Sequence, residues 1–198
     1  FSVHYYFKNE ETLRGFCENV RDLCSSGGYF IGTCYDGKKV FDMFSTLKKD
    51  TVDMKDSHGS LIYQIKKLYD IQLFDYEKDS LSSKEVMDSM LGNEIEVFMS
   101  SIGQPIIEYL VNFGFFVDIM SEYGFELSEL PTFRKGEFNP IKKPIESFDT
   151  FISNMSDIKE KDNEFIKKTK KTDLYKVTPT SEYTLLSGLN NLFVFQKK

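Results

Sequence analysis

The sequence predicts an α/β protein built as a three-layer sandwich, and three observations carry that prediction. Apolar residues recur at steps of three and four between Leu13 and Cys24 and are followed by a glycine pair and a short apolar run at 29–33, the order helix then buried strand. A second helix opens directly after that strand, with Asp36 as its cap. The chain closes on Leu192, Phe193, Val194 and Phe195, an apolar strand that must be covered, because an exposed one would invite aggregation.

Taken in order, residues 1–7 read as the end of an aromatic-rich strand. Asn9 then caps a helix whose first turn carries Glu10 and Glu11, where the helix dipole favours negative charge. Its buried face is expected at Leu13, Phe16, Cys17, Val20, Leu23 and Cys24, with Gly27 and Gly28 as the stop. Strand, helix and strand in succession point to a parallel sheet. The second helix is expected to bury Val40, Phe41, Phe44 and Leu47, and 48–59 turns polar, so that 48–91 reads as an insertion. Within it 61–68 and 71–76 pair as strands, and 77–90 is a loop with a short helix. Glu94, Ile95, Glu96 and Val97 alternate charged with apolar, the mark of a half-buried strand. From Pro105 the pattern reads as a helix running to Gly124, followed by a strand at 125–130, a loop at 134–143, an amphipathic helix at 145–155, a charged stretch at 157–176 and a last helix at 181–189.

Composition bounds the function. The chain has 198 residues, 40% of them hydrophobic and including 19 Phe and 11 Tyr, which is material for one sizeable core. A net charge of -6 argues against holding long nucleic acid, DNA included, through its phosphates, and leaves open a single nucleotide in a pocket. Cys17, Cys24 and Cys34 show no metal or redox spacing, their number is odd, and a reducing compartment suits them. No apolar run reaches the roughly 20 residues of a membrane helix, so no membrane partner is expected. The chain opens on Phe1 rather than Met, inside an apolar segment, and no glycine-rich nucleotide loop of the GxGxxG kind occurs; both features are expected of the later portion of a domain.

Phe1, Ser2, Val3, His4, Tyr5, Tyr6 and Phe7 resemble the signature of messenger-RNA cap (guanine-N7) methyltransferases. The same order of features follows: the amphipathic helix, the run from Ser26 through Gly27, Gly28, Tyr29 and Phe30 to Thr33, then Gly92, Asn93, Glu94 and Ile95, then Ile107, Glu108, Tyr109, Leu110 and Val111 ahead of Tyr123, Gly124 and Phe125. Asp36, Gly37 and Lys38 are more similar to the enzymes of large DNA viruses than to cellular ones. The resemblance implies the C-terminal part of a class I (Rossmann-like) S-adenosylmethionine-dependent methyltransferase with an antiparallel last strand, the N-terminal cofactor-binding half preceding it. It implies that His4, Glu108 and Phe1 bind the cap guanine, that Tyr5 and Ser2 border the S-adenosylmethionine pocket, and that no metal is needed. A further tyrosine contact of the family should fall near Leu189 or Asn190; Tyr183, several residues upstream, is the available tyrosine. Capped RNA is the implied partner, with triphosphatase and guanylyltransferase domains or a stimulatory subunit alongside. An intracellular setting follows, the host cytoplasm or virion for a viral protein and the nucleus for a cellular one.

The residue types suit that chemistry. Guanine N7 already has a free lone pair, so methyl transfer from a sulfonium requires alignment rather than a general base, and orientation alone is worth roughly 7 to 11 kcal/mol. A carboxylate matches the two donors on the N1 and N2 edge of guanine and stabilises positive charge developing on the base, which is the role the resemblance gives Glu108. Aromatic neighbours of His4 offer stacking worth about 1 to 3 kcal/mol per base. Taken alone, His4 is as readily a structural histidine among aromatics, Glu108 a solvated helix residue, and the lysines between 167 and 171 a solvated face.

Overall fold

The computed structural model describes residues 2–77, 83–130, 141–156 and 188–198. It shows a mixed α/β architecture with two four-stranded sheets, and every strand pairing among the described residues is antiparallel, where the sequence pattern pointed to a parallel sheet. Short hairpin turns explain much of this, since they can join only antiparallel neighbours.

The first described element is not a strand but a 3-10 helix, Val3–Lys8, whose start is closed by the Tyr5 amide donating to the Ser2 carbonyl. Its aromatic content is β-prone, yet Val3, His4 and Phe7 are the buried residues, and that spacing suits a helical turn rather than the alternation of a strand. Helix α1, Glu10–Leu23, follows as expected. The Asn9 side chain accepts from the Thr12 amide and the Thr12 hydroxyl accepts from the Asn9 amide, a reciprocal cap. Leu13 and Cys17 are buried, but Leu23, expected on the same face, is 88% exposed at the helix end.

Strand β1, Tyr29–Tyr35, pairs along its length with β8, Asn190–Lys197, the buried last strand. The other edge of β8 is shared by β7, Ile145–Ser147, and β6, Phe125–Leu127. Opposite Phe193 stands Gly32, where a Cβ would lie 2.5 Å from the tip of the phenyl ring. The glycine makes room for that ring. Phe116 then stands edge-on to Phe7, Phe193 and Phe195 at centroid distances of 5.5, 5.4 and 5.3 Å, which locks the first helical turn, the last strand and the central helix into one aromatic core.

Helix α2, Gly37–Leu47, is capped by Asp36, whose Oδ1 accepts from the amides of Lys38 and Lys39 while its Oδ2 accepts from Asn191 on β8. Val40, Phe41 and Phe44 are buried as expected; Leu47, the last residue of the helix, is 46% exposed. The segment expected as an insertion contributes β2, Thr51–Lys55, β3, Leu61–Lys67, and α3, Lys84–Met90. Strand β3 pairs with β2 and not with 71–76, which forms no strand; Phe74 of that segment is instead fully buried against Phe41. The second sheet runs β2, β3, β4 (Glu94–Met99) and β5 (Pro105–Tyr109). In β4 the alternation held: Ile95 and Val97 are buried and Glu94 and Glu96 half-buried.

The largest departure lies at 105–124. Residues Pro105–Tyr109 form a strand, and the helix, α4, begins only at Phe113 and ends at Glu122. Asn112 sets that boundary: its Oδ1 accepts from the Phe115 amide and its Nδ2 donates to the Phe74 carbonyl. Proline is tolerated as the first residue of an edge strand, and Ile106 and Glu108 fall on one face by the two-residue period. Strand β6 is shorter than the expected 125–130, and the helix expected over 145–155 begins instead as β7, with α5 spanning Phe148–Ser156. The expectations for 134–140, 157–176 and 181–187 lie outside the described residues.

Gly37 joins the two sheets. Its amide donates to the Val111 carbonyl at 2.8 Å, and a Cβ there would lie 2.7 Å from Val111 N and 2.8 Å from both Val111 O and Phe74. A Gly37→Ala substitution is expected to lower stability by about 1–3 kcal/mol through overpacking. Chemical denaturation of the full-length variant checks this; an unchanged midpoint would contradict the close approach.

Candidate functional site

Residues of the two sheets, with the 3-10 helix and α5, line a cleft of about 430 Å³. One wall comes from the first sheet, with Thr33, Cys34 and Tyr35 at the end of β1 and Asn190 at the start of β8. The facing wall comes from Met99 of β4, Ile106 and Glu108 of β5 and Ile102 in the turn between them. His4 and Tyr5 of the 3-10 helix and Phe148 of α5 complete the lining.

The polar centre is His4 with Glu108. Both are buried, at 7% and 6% exposure, and His4 Nε2 lies 3.6 Å from Glu108 Oε1, too far for a good hydrogen bond. His4 Nε2 and Glu108 Oε2 are buried without a hydrogen-bond partner. Burial disfavours the charged form of each, pulling the His4 imidazole down to about 4 and pushing the Glu108 carboxyl up to about 7. At neutral pH the histidine is therefore uncharged, and the two do not form an ion pair. The arrangement is an acceptor-rich carboxyl group beside a neutral imidazole, in two residues that line a cavity, with hydrogen-bonding capacity unspent. Such a group is costly to bury alone and is well placed to receive donors from a ligand.

Tyr5 stands at the rim, 39% exposed, its ring centroid 4.2 Å from that of His4. Of the lining residues, Tyr35 has its hydroxyl 2.8 Å from that of Tyr63 in a buried contact that crosses from β1 to β3. Burial, with the nearby Glu108 carboxylate, pushes the Tyr35 phenol up to about 12 and raises Tyr63 further, so both remain protonated. Burial likewise raises the Cys34 thiol, which rules it out as a ready nucleophile.

The structure thus brings together three of the residues the sequence singled out, His4, Tyr5 and Glu108. Ser2 is exposed, does not line the cleft and contributes only its carbonyl to the turn at Tyr5. Phe1 and Tyr183 lie outside the described residues. Sequence reasoning missed Tyr35, Phe148 and the apolar β4–β5 wall; it took Glu108 for a helix residue, whereas strand geometry is what turns Glu108 and Ile106 into the same space. Among the described residues no group of three or more His, Cys, Asp and Glu is placed to hold a metal ion, and no helix is long and apolar enough to cross a membrane.

Residues 1–198 match throughout the family described as the mRNA (guanine-N(7))-methyltransferase domain, and the chain belongs to that family. Its relatives include a probable mRNA-capping enzyme of Acanthamoeba polyphaga mimivirus, 27% identical over 139 residues, an alignment covering 67% of this chain and 11% of that protein. An mRNA cap guanine-N(7) methyltransferase of Eremothecium gossypii is 27% identical over 136 residues, with 68% of this chain and 29% of the relative covered. That of Meyerozyma guilliermondii is 27% identical over 128 residues, covering 64% and 20%. The matched region is thus under a third of the length of each.

The two buried groups give opposite pH dependences. Glu108 binds its proton more tightly in the folded state, so its contribution to stability is greatest below 4.5 and falls as the pH rises through about 7. His4 contributes fully above 6.5 and loses that contribution as the pH falls through about 4. Glu108→Gln is therefore expected to stabilise the ligand-free protein by up to about 3 kcal/mol at pH 8 and by little at pH 4.5. Urea denaturation at the two pH values checks it; equal effects at both would contradict the raised carboxyl.

Proposed function

We propose that the polypeptide carrying this chain methylates N7 of the terminal guanine of capped RNA, and that the cleft between the two sheets holds the guanine. The observation that carries the reading is the buried Glu108 carboxyl, which lines the cavity and has an oxygen without a hydrogen-bond partner, beside neutral His4. Guanine offers two adjacent donors, N1–H and N2–H, and a carboxylate is the side chain that accepts both. Their arrival favours the ionised form of Glu108, and the negative charge then stabilises the positive charge that develops on the base as N7 gains its methyl. His4 contacts the base from the adjoining side, while Ile106, Ile102, Met99 and Phe148 supply apolar surface that excludes water from it.

The methyl donor that the family implies is S-adenosylmethionine, whose sulfonium supplies an electrophilic methyl group. Tyr5 fits a role beside it, being an exposed aromatic at the cleft rim packed on His4. Ser2 has no geometric support for that role, and Phe1 and Tyr183 are carried as further cap contacts by resemblance alone. Because the lone pair on N7 needs no deprotonation, the chain's task is positioning, and no residue is assigned as acid or base. Family membership and the antiparallel last strand β8 support a class I, Rossmann-like methyltransferase. The name of the mimivirus relative, and the small share of it that is matched, support a place beside other capping activities in one polypeptide or complex, inside the cell where capped RNA is made.

With the full-length natural protein, methyl transfer from labelled S-adenosylmethionine to GpppA-capped RNA is expected at guanine N7, and His4→Ala is expected to abolish most of it. Glu108→Ala is expected to weaken binding of a cap analogue on the order of a hundredfold or more, because the guanine donors lose a buried acceptor. Unchanged binding would remove Glu108 from the site. A folded protein that binds the donor yet transfers nothing would instead indicate a noncatalytic, stimulatory subunit.

A further inference from the structure

The proposed reading assigns no role to Tyr35, which lines the cleft, or to Tyr63, which lies behind it as its hydrogen-bond partner. Tyr35 and Tyr63 hydrogen-bond to one another at 2.8 Å, and either oxygen can be the donor. Two hydroxyls carry two protons, and their mutual bond uses one. Among the described residues neither phenol has another hydrogen-bond partner, so the phenol that accepts keeps an unpaired O–H; with Tyr63 as the donor that phenol is Tyr35, the one of the two that lines the cavity. A buried donor without an acceptor is costly, and such groups in native proteins are generally matched by a ligand or water.

The surroundings favour a ligand acceptor. Tyr35 is anchored from the opposite sheet by Tyr63, so its hydroxyl is fixed before anything binds. On guanine the group next to the N1–H and N2–H donors is the O6 carbonyl, an acceptor. Adenine has an amino group there, which would meet the Tyr35 proton donor to donor.

We infer that Tyr35, held by Tyr63, is a specificity-determining residue that donates its hydroxyl proton to the O6 carbonyl of the base whose N1 and N2 edge Glu108 reads. The inference rests on the guanine reading of the cleft and adds a second recognition point to it. Glu108 selects for the two donors, Tyr35 for the acceptor, and together they span the edge that distinguishes guanine from adenine.

Equilibrium binding of GTP, ITP and 6-thio-GTP to the full-length natural protein tests this. ITP lacks the 2-amino group but keeps O6; 6-thio-GTP keeps both donors and replaces O6 by sulfur, a poorer acceptor. Tyr35→Phe preserves the ring, and it is expected to weaken GTP and ITP about ten- to a hundredfold while changing 6-thio-GTP far less, so that the preference of the wild type for GTP over 6-thio-GTP collapses. Tyr63→Phe leaves the Tyr35 hydroxyl but frees it, and is expected to produce a smaller loss confined to the same two ligands. Equal losses on all three ligands, or none, would overturn the assignment, as would a His4→Ala variant that alone removes the O6 preference. A wild type that does not prefer GTP to ATP would overturn the guanine reading itself, a separate result.

Discussion

A carboxyl group buried at the meeting of two sheets, with one oxygen unpartnered, is a standing cost that the rest of the fold must carry. The group partly relieves that cost by holding its proton, which is why Glu108 is pushed up to about 7. What keeps it buried is packing on both sides. The Gly37 amide bonded to Val111 ties the start of α2 to the chain leaving β5, and the Phe7, Phe116, Phe193 and Phe195 rings hold the 3-10 helix against the last strand. His4 lies within that helix, so the aromatic core that fixes Phe7 also fixes the distance between His4 and Glu108.

The cleft is therefore preorganised by elements distant from it in sequence. Its two walls belong to different sheets, and the Tyr35–Tyr63 contact crosses between them. On the proposed reading, a ligand that satisfies Glu108 would convert a destabilising burial into a bound state with matched hydrogen bonds, so that binding energy and specificity would come from the same group. The overall negative charge agrees with the proposed mode, in which one base is gripped in a pocket rather than a strand held along a basic surface.

Local signals in the sequence were reliable wherever the local residues decide the structure. Asn9 and Asp36 are caps with short-range partners, the alternation in 94–97 reports one buried face, and the apolar 192–195 run has to be interior. The errors fell where tertiary context decides. Ile106 and Ile107 fit a helix or a strand, and only pairing with β4 and the capping of α4 at Asn112 settle the question. The aromatic opening reads as a strand until its burial pattern shows a helical turn, and the polar 51–55 run gives little sign that β3 will pair with it. In the site, His4, Tyr5 and Glu108 were legible through resemblance and not through periodicity. Tyr35 was illegible, since a tyrosine ending a strand is ordinary until the fold sets Tyr63 opposite its hydroxyl.

The central claim is that the inter-sheet cleft receives a guanine base with its N1 and N2 edge on Glu108. The most direct measurement is an experimental structure of the full-length natural protein bound to a cap analogue. The account predicts the base within the cleft, both Glu108 oxygens within hydrogen-bonding distance of the N1 and N2 donors, and His4 in contact with the ring. A cap analogue bound elsewhere, with the Glu108 carboxyl still unpartnered, would contradict it.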